Sequence, residues 1–77
     1  MNILDFTVAI PTFNGAQRLP LVLDRLREQE EVEDLRWEII VIDNNSQDET
    51  RSIVEYYQST HFPCPLKYLF EIGRAHV

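Results

Sequence analysis

The sequence has little of what several common kinds of site require. Its 77 residues include two glycines, Gly15 and Gly73, so it has neither the dinucleotide-binding fingerprint nor the phosphate-loop motif. The two histidines, His61 and His76, stand alone and form no cluster with cysteine at metal-site spacing. The single cysteine, Cys64, excludes an internal disulfide and favours a reducing compartment. We therefore expect a cytoplasmic protein.

Basic residues and long apolar runs are also scarce. Seven Lys and Arg residues face 13 acidic ones, a formal charge of -6, which argues against a broad nucleic-acid surface. No apolar run approaches the roughly 20 residues that span a bilayer. The first five residues lack a basic targeting region, and Pro11 and Asn14 interrupt the apolar run that follows. A chain of this length can bury one modest core.

The most informative stretch is an unbroken β-branched run from Ile39 to Ile42. Such a run predicts a strand buried on both faces of a parallel sheet. Polar residues 43–46, Asp-Asn-Asn-Ser, follow at the carboxyl end, where open α/β sheets hold ligands. Ser46 and Glu49 have the spacing of a capping box, which predicts a helix from about Gln47. Its first amides would lie beside the same crevice.

A strand and a helix are predicted before this run. The strand covers Phe6 to Ile10 and ends at Pro11, because proline has no amide hydrogen for an interior ladder. A helix follows from near Gln17, since Pro20 is tolerated only in the first turn. The cluster of acidic residues between Glu28 and Asp34 should end that helix. Its apolar stripe predicts four core residues: Leu19, Val22, Leu23 and Leu26.

The second half of the chain repeats this alternation. The helix to about Gln58 presents an inner stripe of Thr50, Ile53, Val54 and Tyr57. A third strand is predicted from Leu66 to Phe70. The expected fold is α/β, a Rossmann-like parallel sheet in the order β-α-β-α-β with right-handed crossovers.

This order brings the ends of the first two strands together. Residues 11–14 and 43–46 then form two walls of one crevice. It contains a carboxylate acceptor, Asp43, an aromatic ring, Phe13, and amides at a helix start. These groups suit a nucleobase, because the carboxylate accepts an imide or amino hydrogen while the ring stacks on the base.

Simpler roles exist for the same residues. Asp43 could cap the turn that follows its strand, and Phe13 could belong to the core. Asp48 and Glu49 are interpreted as helix-dipole partners in the first helical turn. A receiver-like or phosphatase-like domain would need a carboxylate after the first strand, where Pro11 stands.

Two segments carry a family resemblance. Phe6 to Asn14, ending Pro-Thr-Phe-Asn, and Ile39 to Thr50, containing Val-Ile-Asp-Asn-Asn-Ser-Gln-Asp-Glu-Thr, resemble the opening of a family 2 glycosyltransferase with the GT-A fold. The similarity covers about Leu4 to Phe70. It implies that residues 1–70 are the N-terminal nucleotide-binding part of such a domain. The implied activity is inverting transfer of a sugar from a UDP- or GDP-sugar to a glycan or lipid-linked acceptor, in polysaccharide or cell-envelope glycan biosynthesis.

The resemblance also implies site residues. By position, Pro11 and Phe13 would line the base pocket, Asp43 would accept a hydrogen bond from the base, and Asn14 would shape the turn. Asn44 stands where the family often has a second aspartate, which weakens any argument that this position binds charge.

The family's metal-binding Asp-x-Asp pair and catalytic base lie beyond these residues, and the sequence contains no Asp-x-Asp. The resemblance therefore implies a divalent metal, Mg or Mn, in the full-length enzyme and none bound by this chain alone, which should be inactive. It leaves membrane association open, with the inner face of the membrane as an alternative location. A small non-catalytic α/β module that binds a nucleotide or a partner is the alternative function.

The last seven residues, 71–77, depart from the family pattern. They can be back-translated into the start of a common sequencing-library adapter. We therefore expect a non-native tail and assign it no role.

Overall fold

Five elements alternate along the chain. A computed structural model describes residues 4–29 and 35–72. Residues 30–34 of the acidic stretch and residues 73–77 of the predicted tail lie outside the described residues. The elements confirm the predicted α/β class and the order β-α-β-α-β. They are β1 (Phe6–Thr12), α1 (Leu19–Arg27), β2 (Trp37–Asn44), α2 (Thr50–Gln58) and β3 (Leu66–Glu71).

The strands form one parallel sheet in the order β1-β2-β3. Val41 at the centre of β2 is aligned with Ile10 on β1 and Tyr68 on β3. At the carboxyl edge, Thr12 is aligned with Asp43. The ends of β1 and β2 therefore lie side by side, as the sequence predicts.

Both helices pack on one face of this sheet. Side chains from α1, β2 and α2 form one buried core cluster: Leu19, Leu23, Trp37, Ile39, Val41, Val54 and Tyr57. The Tyr57 hydroxyl donates a hydrogen bond of 2.8 Å to the Asp24 carboxylate, which links the two helices. Side chains alternate along a strand, so Ile40 and Ile42 lie on the other face, where the described residues leave them partly buried. The prediction that β2 is buried on both faces is therefore correct for the face that packs against the helices, whereas the described residues bury the other face only partly.

Strand β1 continues through Pro11, which corrects the prediction that it ends there. Pro11 is aligned with Ile42, and the strand reaches Thr12. Among the described residues β1 has a neighbour on one side only. An edge strand tolerates proline because one of its sides carries no ladder.

Helix α1 begins at Leu19, later than the predicted start near Gln17. A turn precedes it, in which the Gly15 carbonyl accepts a hydrogen bond of 2.8 Å from the Leu19 amide. Leu19 and Leu23 are buried as expected and Leu26 packs against the core. Val22 is 40% exposed, so its assignment to the core is wrong. It borders an open groove between α1 and the end of β1.

Helix α2 begins at Thr50, so the predicted start near Gln47 and the Ser46–Glu49 capping box are wrong. The Ser46 hydroxyl is bonded to another loop and caps no helix amide. The inner stripe is confirmed: Thr50, Val54 and Tyr57 are buried and Ile53 packs beside them. No helix in residues 4–29 or 35–72 has the length and apolar character needed to cross a membrane.

A matched pair of leucines on α1 tests this packing. Leu23 is fully buried, whereas Leu21 is 66% exposed. Leu23→Ala should lower the free energy of unfolding by about 2–5 kcal/mol, because it removes buried contacts and leaves a cavity. Leu21→Ala should change it by less than about 0.5 kcal/mol. Denaturant titrations followed by circular dichroism measure both, and equal effects would contradict the packing.

Candidate functional site

Two turns meet at the carboxyl edge of the sheet. The first turn, residues 13–18, connects β1 to α1, and the second turn, residues 45–49, connects β2 to α2. The predicted crevice walls are therefore adjacent. Hydrogen bonds join them directly, so they form one surface.

Three consecutive amides of the first turn donate to side chains from the second turn and the start of α2. The pairs are Asn14 N with Ser46 Oγ at 2.7 Å, Gly15 N with Thr50 Oγ1 at 2.9 Å, and Ala16 N with Asp48 Oδ2 at 3.1 Å. A fourth bond runs the opposite way, from the Gln47 amide to Asn14 Oδ1 at 2.7 Å. Because these amides already have acceptors, they are not free to cradle a phosphate group.

The backbone of both turns needs particular residues. Asn14 and Asn45 have positive φ angles of 49° and 62°, a region that asparagine tolerates better than most residues. At Gly15 a Cβ atom would lie 2.8 Å from Cγ2 of the buried Thr12 side chain. Sequence and close packing together fix the path of the first turn.

Asp43 ends up buried and bonded within the protein. Asp43 is 1% exposed. Its Oδ1 atom accepts a 2.9 Å hydrogen bond from the Ser46 amide. Oδ2 accepts a hydrogen bond from the Tyr68 hydroxyl. The turn-capping role is thus present in the fold. Each oxygen has a further lone pair, so recognition of a base by Asp43 stays a prediction.

Tyr68 is the partner that the sequence analysis missed. It lies on β3, aligned with Val41, and its hydroxyl reaches the end of β2. Burial, followed by the hydrogen bond to Asp43 and the charge of that carboxylate, raises the pKa of Tyr68 to about 12. The sequence signal that could have found it is a tyrosine inside the predicted strand from Leu66 to Phe70, because a buried tyrosine hydroxyl needs a hydrogen-bond partner.

Asp48 lies before α2 and not in its first turn, which corrects the prediction. Its Oδ1 accepts a 3.0 Å hydrogen bond from the Thr50 amide and another from the Thr50 hydroxyl. These bonds, chiefly that of the Thr50 hydroxyl, hold the pKa of Asp48 below its usual value. Asp48 thus joins the start of α2 to the first turn through Ala16.

Phe13 is 62% exposed, so the alternative that it belongs to the core is wrong. It borders two open cavities, of about 660 Å³ beside Asp48 and about 200 Å³ beside α1. Arg18 borders both cavities as well and was not singled out from the sequence. An aromatic ring and a guanidinium group are therefore presented together at this edge.

The remaining predicted site residues are spread around the edge. Pro11 lines the smaller cavity. Asn44 closes β2 beside Glu71 on β3, on the opposite face from Asp43 because side chains alternate. Phe13 and Asn14 line one cavity together, whereas Asp43 and Asn44 line neither of the two cavities that Phe13 borders. Residues 4–29 and 35–72 contain no cluster of three His, Cys, Asp or Glu residues placed to hold a metal ion.

A separate cavity of about 570 Å³ lies near the amino end of β2, lined by Trp37, Cys64 and Lys67 among others. Burial, with a smaller contribution from the Glu38 charge, raises the pKa of the Cys64 thiol to about 11. The thiol is therefore protonated at neutral pH and poorly nucleophilic. This cavity offers no chemistry comparable to the carboxyl edge.

Comparison with known proteins identifies one family. The family model described as Glycosyl transferase family 2 matches residues 7–74. No solved structure matches the chain. The matched range contains both turns, Asp43 and Tyr68.

A substitution at Gly15 tests the close approach of the first turn to β1. Gly15→Ala should lower the free energy of unfolding by about 1–3 kcal/mol, because the new methyl group crowds buried Thr12. Gln17→Ala, at an exposed position of the same turn, should be close to neutral. Thermal or denaturant unfolding of the two variants measures the difference, and an unchanged Gly15→Ala variant would contradict the packing.

The lowered pKa of Asp48 predicts a pH dependence. An ionised Asp48 stabilises the fold above its ordinary pKa of 3.8, and that contribution is lost as the pH falls through the lower native value. The stability difference between the native chain and Asp48→Asn should therefore shrink on acidification. Unfolding curves recorded across this range measure it, with Glu49→Gln as the control. A difference independent of pH would contradict the assigned bonds.

Proposed function

The chain belongs to glycosyl transferase family 2, and from this premise we propose that the two turns form the base-binding part of a nucleotide-sugar donor site. The observation that carries the proposal is that the exposed Phe13 directly follows Thr12 of β1, which is aligned with Asp43 of β2. A ring free on one face supplies a stacking platform that accepts any base. The carboxylate then supplies selectivity.

We propose that Asp43 reads an imide hydrogen. Uracil and guanine, the bases of UDP- and GDP-sugars, each present a ring N–H beside a carbonyl group. A carboxylate can accept that hydrogen while keeping its bonds from the Ser46 amide and the Tyr68 hydroxyl, because it has about four lone-pair sites. Asp43 is 1% exposed, so binding requires a small outward shift of the second turn.

The diphosphate should be bound away from the first-turn amides. Asn14, Gly15 and Ala16 already donate to side-chain oxygens. Arg18 borders both cavities beside Phe13 and supplies a positive charge in a chain whose net charge is -6. We propose that Arg18 attracts the diphosphate while Phe13 and Asp43 hold the base.

For the whole protein we propose transfer of the sugar to a glycan or lipid-linked acceptor, as in polysaccharide or cell-envelope glycan synthesis. Mg or Mn would neutralise the diphosphate there. The described residues do not fit that metal, because they contain no suitable cluster and the sequence contains no Asp-x-Asp. We propose that the metal ligands and the catalytic base lie elsewhere, and that the 77 residues bind nucleotide without transferring sugar.

Titration with UDP and GDP tests the binding proposal. Phe13→Ala should weaken the affinity roughly ten- to a hundredfold, because stacking on an aromatic ring is worth about 1–3 kcal/mol per base. Tyr56→Ala, which removes an aromatic ring of similar exposure from α2, should bind like the native chain. Calorimetry or NMR titration measures the constants. Failure of the native chain to bind either nucleotide, or equal losses in both variants, would contradict the proposal.

The coding sequence downstream of Phe70 tests the enzymatic part. A reading frame that continues through an Asp-x-Asp pair after a further strand supports the glycosyltransferase, and sugar transfer by that longer protein completes the test. A stop codon directly after Val77 in the genome would favour the non-catalytic binding module.

A further inference from the structure

The Asp43 carboxylate is held from two sides by groups on different elements. The Tyr68 hydroxyl on β3 donates to Oδ2, and the Ser46 amide in the second turn donates to Oδ1 at 2.9 Å. An exposed carboxylate could rotate freely about its last torsion. This one is buried and bonded at both oxygens, so its plane is fixed.

The same bonds continue into the first turn. Ser46 donates its amide to Asp43 and accepts the Asn14 amide at its hydroxyl, at 2.7 Å. Asn14 directly follows Phe13. A series of three hydrogen bonds therefore connects Tyr68, on the far strand of the sheet, with the turn that carries the exposed ring.

The position of Tyr68 is itself restrained. Its hydroxyl lies inside the carboxyl edge, while the Arg51 guanidinium on α2 lies over its ring at 5.6 Å from the ring centre. Phenylalanine could fill the same packing space. It could not supply the second hydrogen-bond donor to Asp43, which is what the Tyr68 hydroxyl adds.

We infer that Tyr68 is a positioning residue for nucleotide recognition, which orients the Asp43 carboxylate toward the base and, through Ser46 and Asn14, steadies the turn that carries Phe13. This inference rests on the proposed function of the site. Tyr68 itself touches no substrate in this scheme. Its effect on binding passes through Asp43.

A double-mutant cycle tests this dependence. Tyr68→Phe should weaken binding of UDP or GDP about ten- to a hundredfold, the usual effect of losing a hydrogen bond to a charged group. In an Asp43→Asn background the same change should cause no further loss. Tyr56→Phe, at an exposed tyrosine on α2, is the matched control. Equal losses from Tyr68→Phe in both backgrounds would overturn the inference.

Nucleotide analogues separate positioning from a general loss of structure. N3-methyluridine diphosphate and N1-methylguanosine diphosphate lack the imide hydrogen that Asp43 would accept. The native chain and Tyr68→Phe should bind these analogues with similar, weak affinities. A Tyr68→Phe variant that loses the analogues and the natural nucleotides by the same factor would show a structural role only.

Two measurements without ligand keep this inference distinct from the proposed function. The Ser46 amide should exchange with solvent faster in Tyr68→Phe than in Tyr56→Phe. The Tyr68 phenol, followed by ultraviolet absorbance, should titrate at lower pH in Asp43→Asn than in the native chain. If nucleotides fail to bind but both effects occur, the proposed function fails while the contact stands. If neither effect occurs, the positioning role is overturned whatever binds.

Discussion

A buried carboxylate dominates the carboxyl edge of this sheet. Asp43 is almost completely removed from solvent, and a charge in that position is costly unless hydrogen-bond donors replace the lost water. The donors come from the second turn and from β3. Folding of β3 against β2 and closure of the second turn therefore depend on the same side chain. Removal of either donor would leave a buried acceptor with too few partners.

The rest of the edge is built around this carboxylate. The Ser46 amide is fixed by Asp43, so the Ser46 hydroxyl is left to accept the Asn14 amide. Thr50 and Asp48 then accept the next two amides. Polar side chains of the second turn and the start of α2 thus supply hydrogen-bond acceptors beyond the point where the strand ladder ends. The apolar core below, which includes Leu23 of α1 and Val54 of α2, holds both helices in positions where these hydrogen bonds can form.

Much of the fold could be predicted because its signals are local. The β-branched run of β2 and the inner stripe of α2 predicted their elements correctly, and the chain order predicted a parallel sheet. The errors arose where a neighbouring segment decides the outcome. Pro11 continues a strand because β1 lies at an edge of the described sheet, and Ser46 bonds to the first turn instead of capping α2. Val22 follows the helical stripe but lies over a groove that the described residues leave open.

The adjacency of the two strand ends could be predicted from the sequence, but the hydrogen bonds between their side chains could not. The sequence placed Phe13, Asn14 and Asp43 at adjacent strand ends, and the family match covers all three. It could not show that Asp43 would be buried or that Tyr68, from a strand 25 residues later, would bind it. Spacing in one strand says nothing about which side chain of the next strand reaches it. Arg18 was missed for the same reason, since its nearness to Phe13 depends on the turn before α1.

The four bonds that join the first turn to the second turn and the start of α2 have a thermodynamic consequence for any ligand that binds above them. Loops that become ordered only on binding lose conformational entropy at that moment, and the affinity falls accordingly. Here the two turns are already ordered in the ligand-free chain by bonds of 2.7–3.1 Å. Their entropy is lost during folding. The turns are thus joined into one ordered unit before a nucleotide arrives, so the small outward shift that gives a base access to Asp43 moves them together and needs no further ordering of a loop.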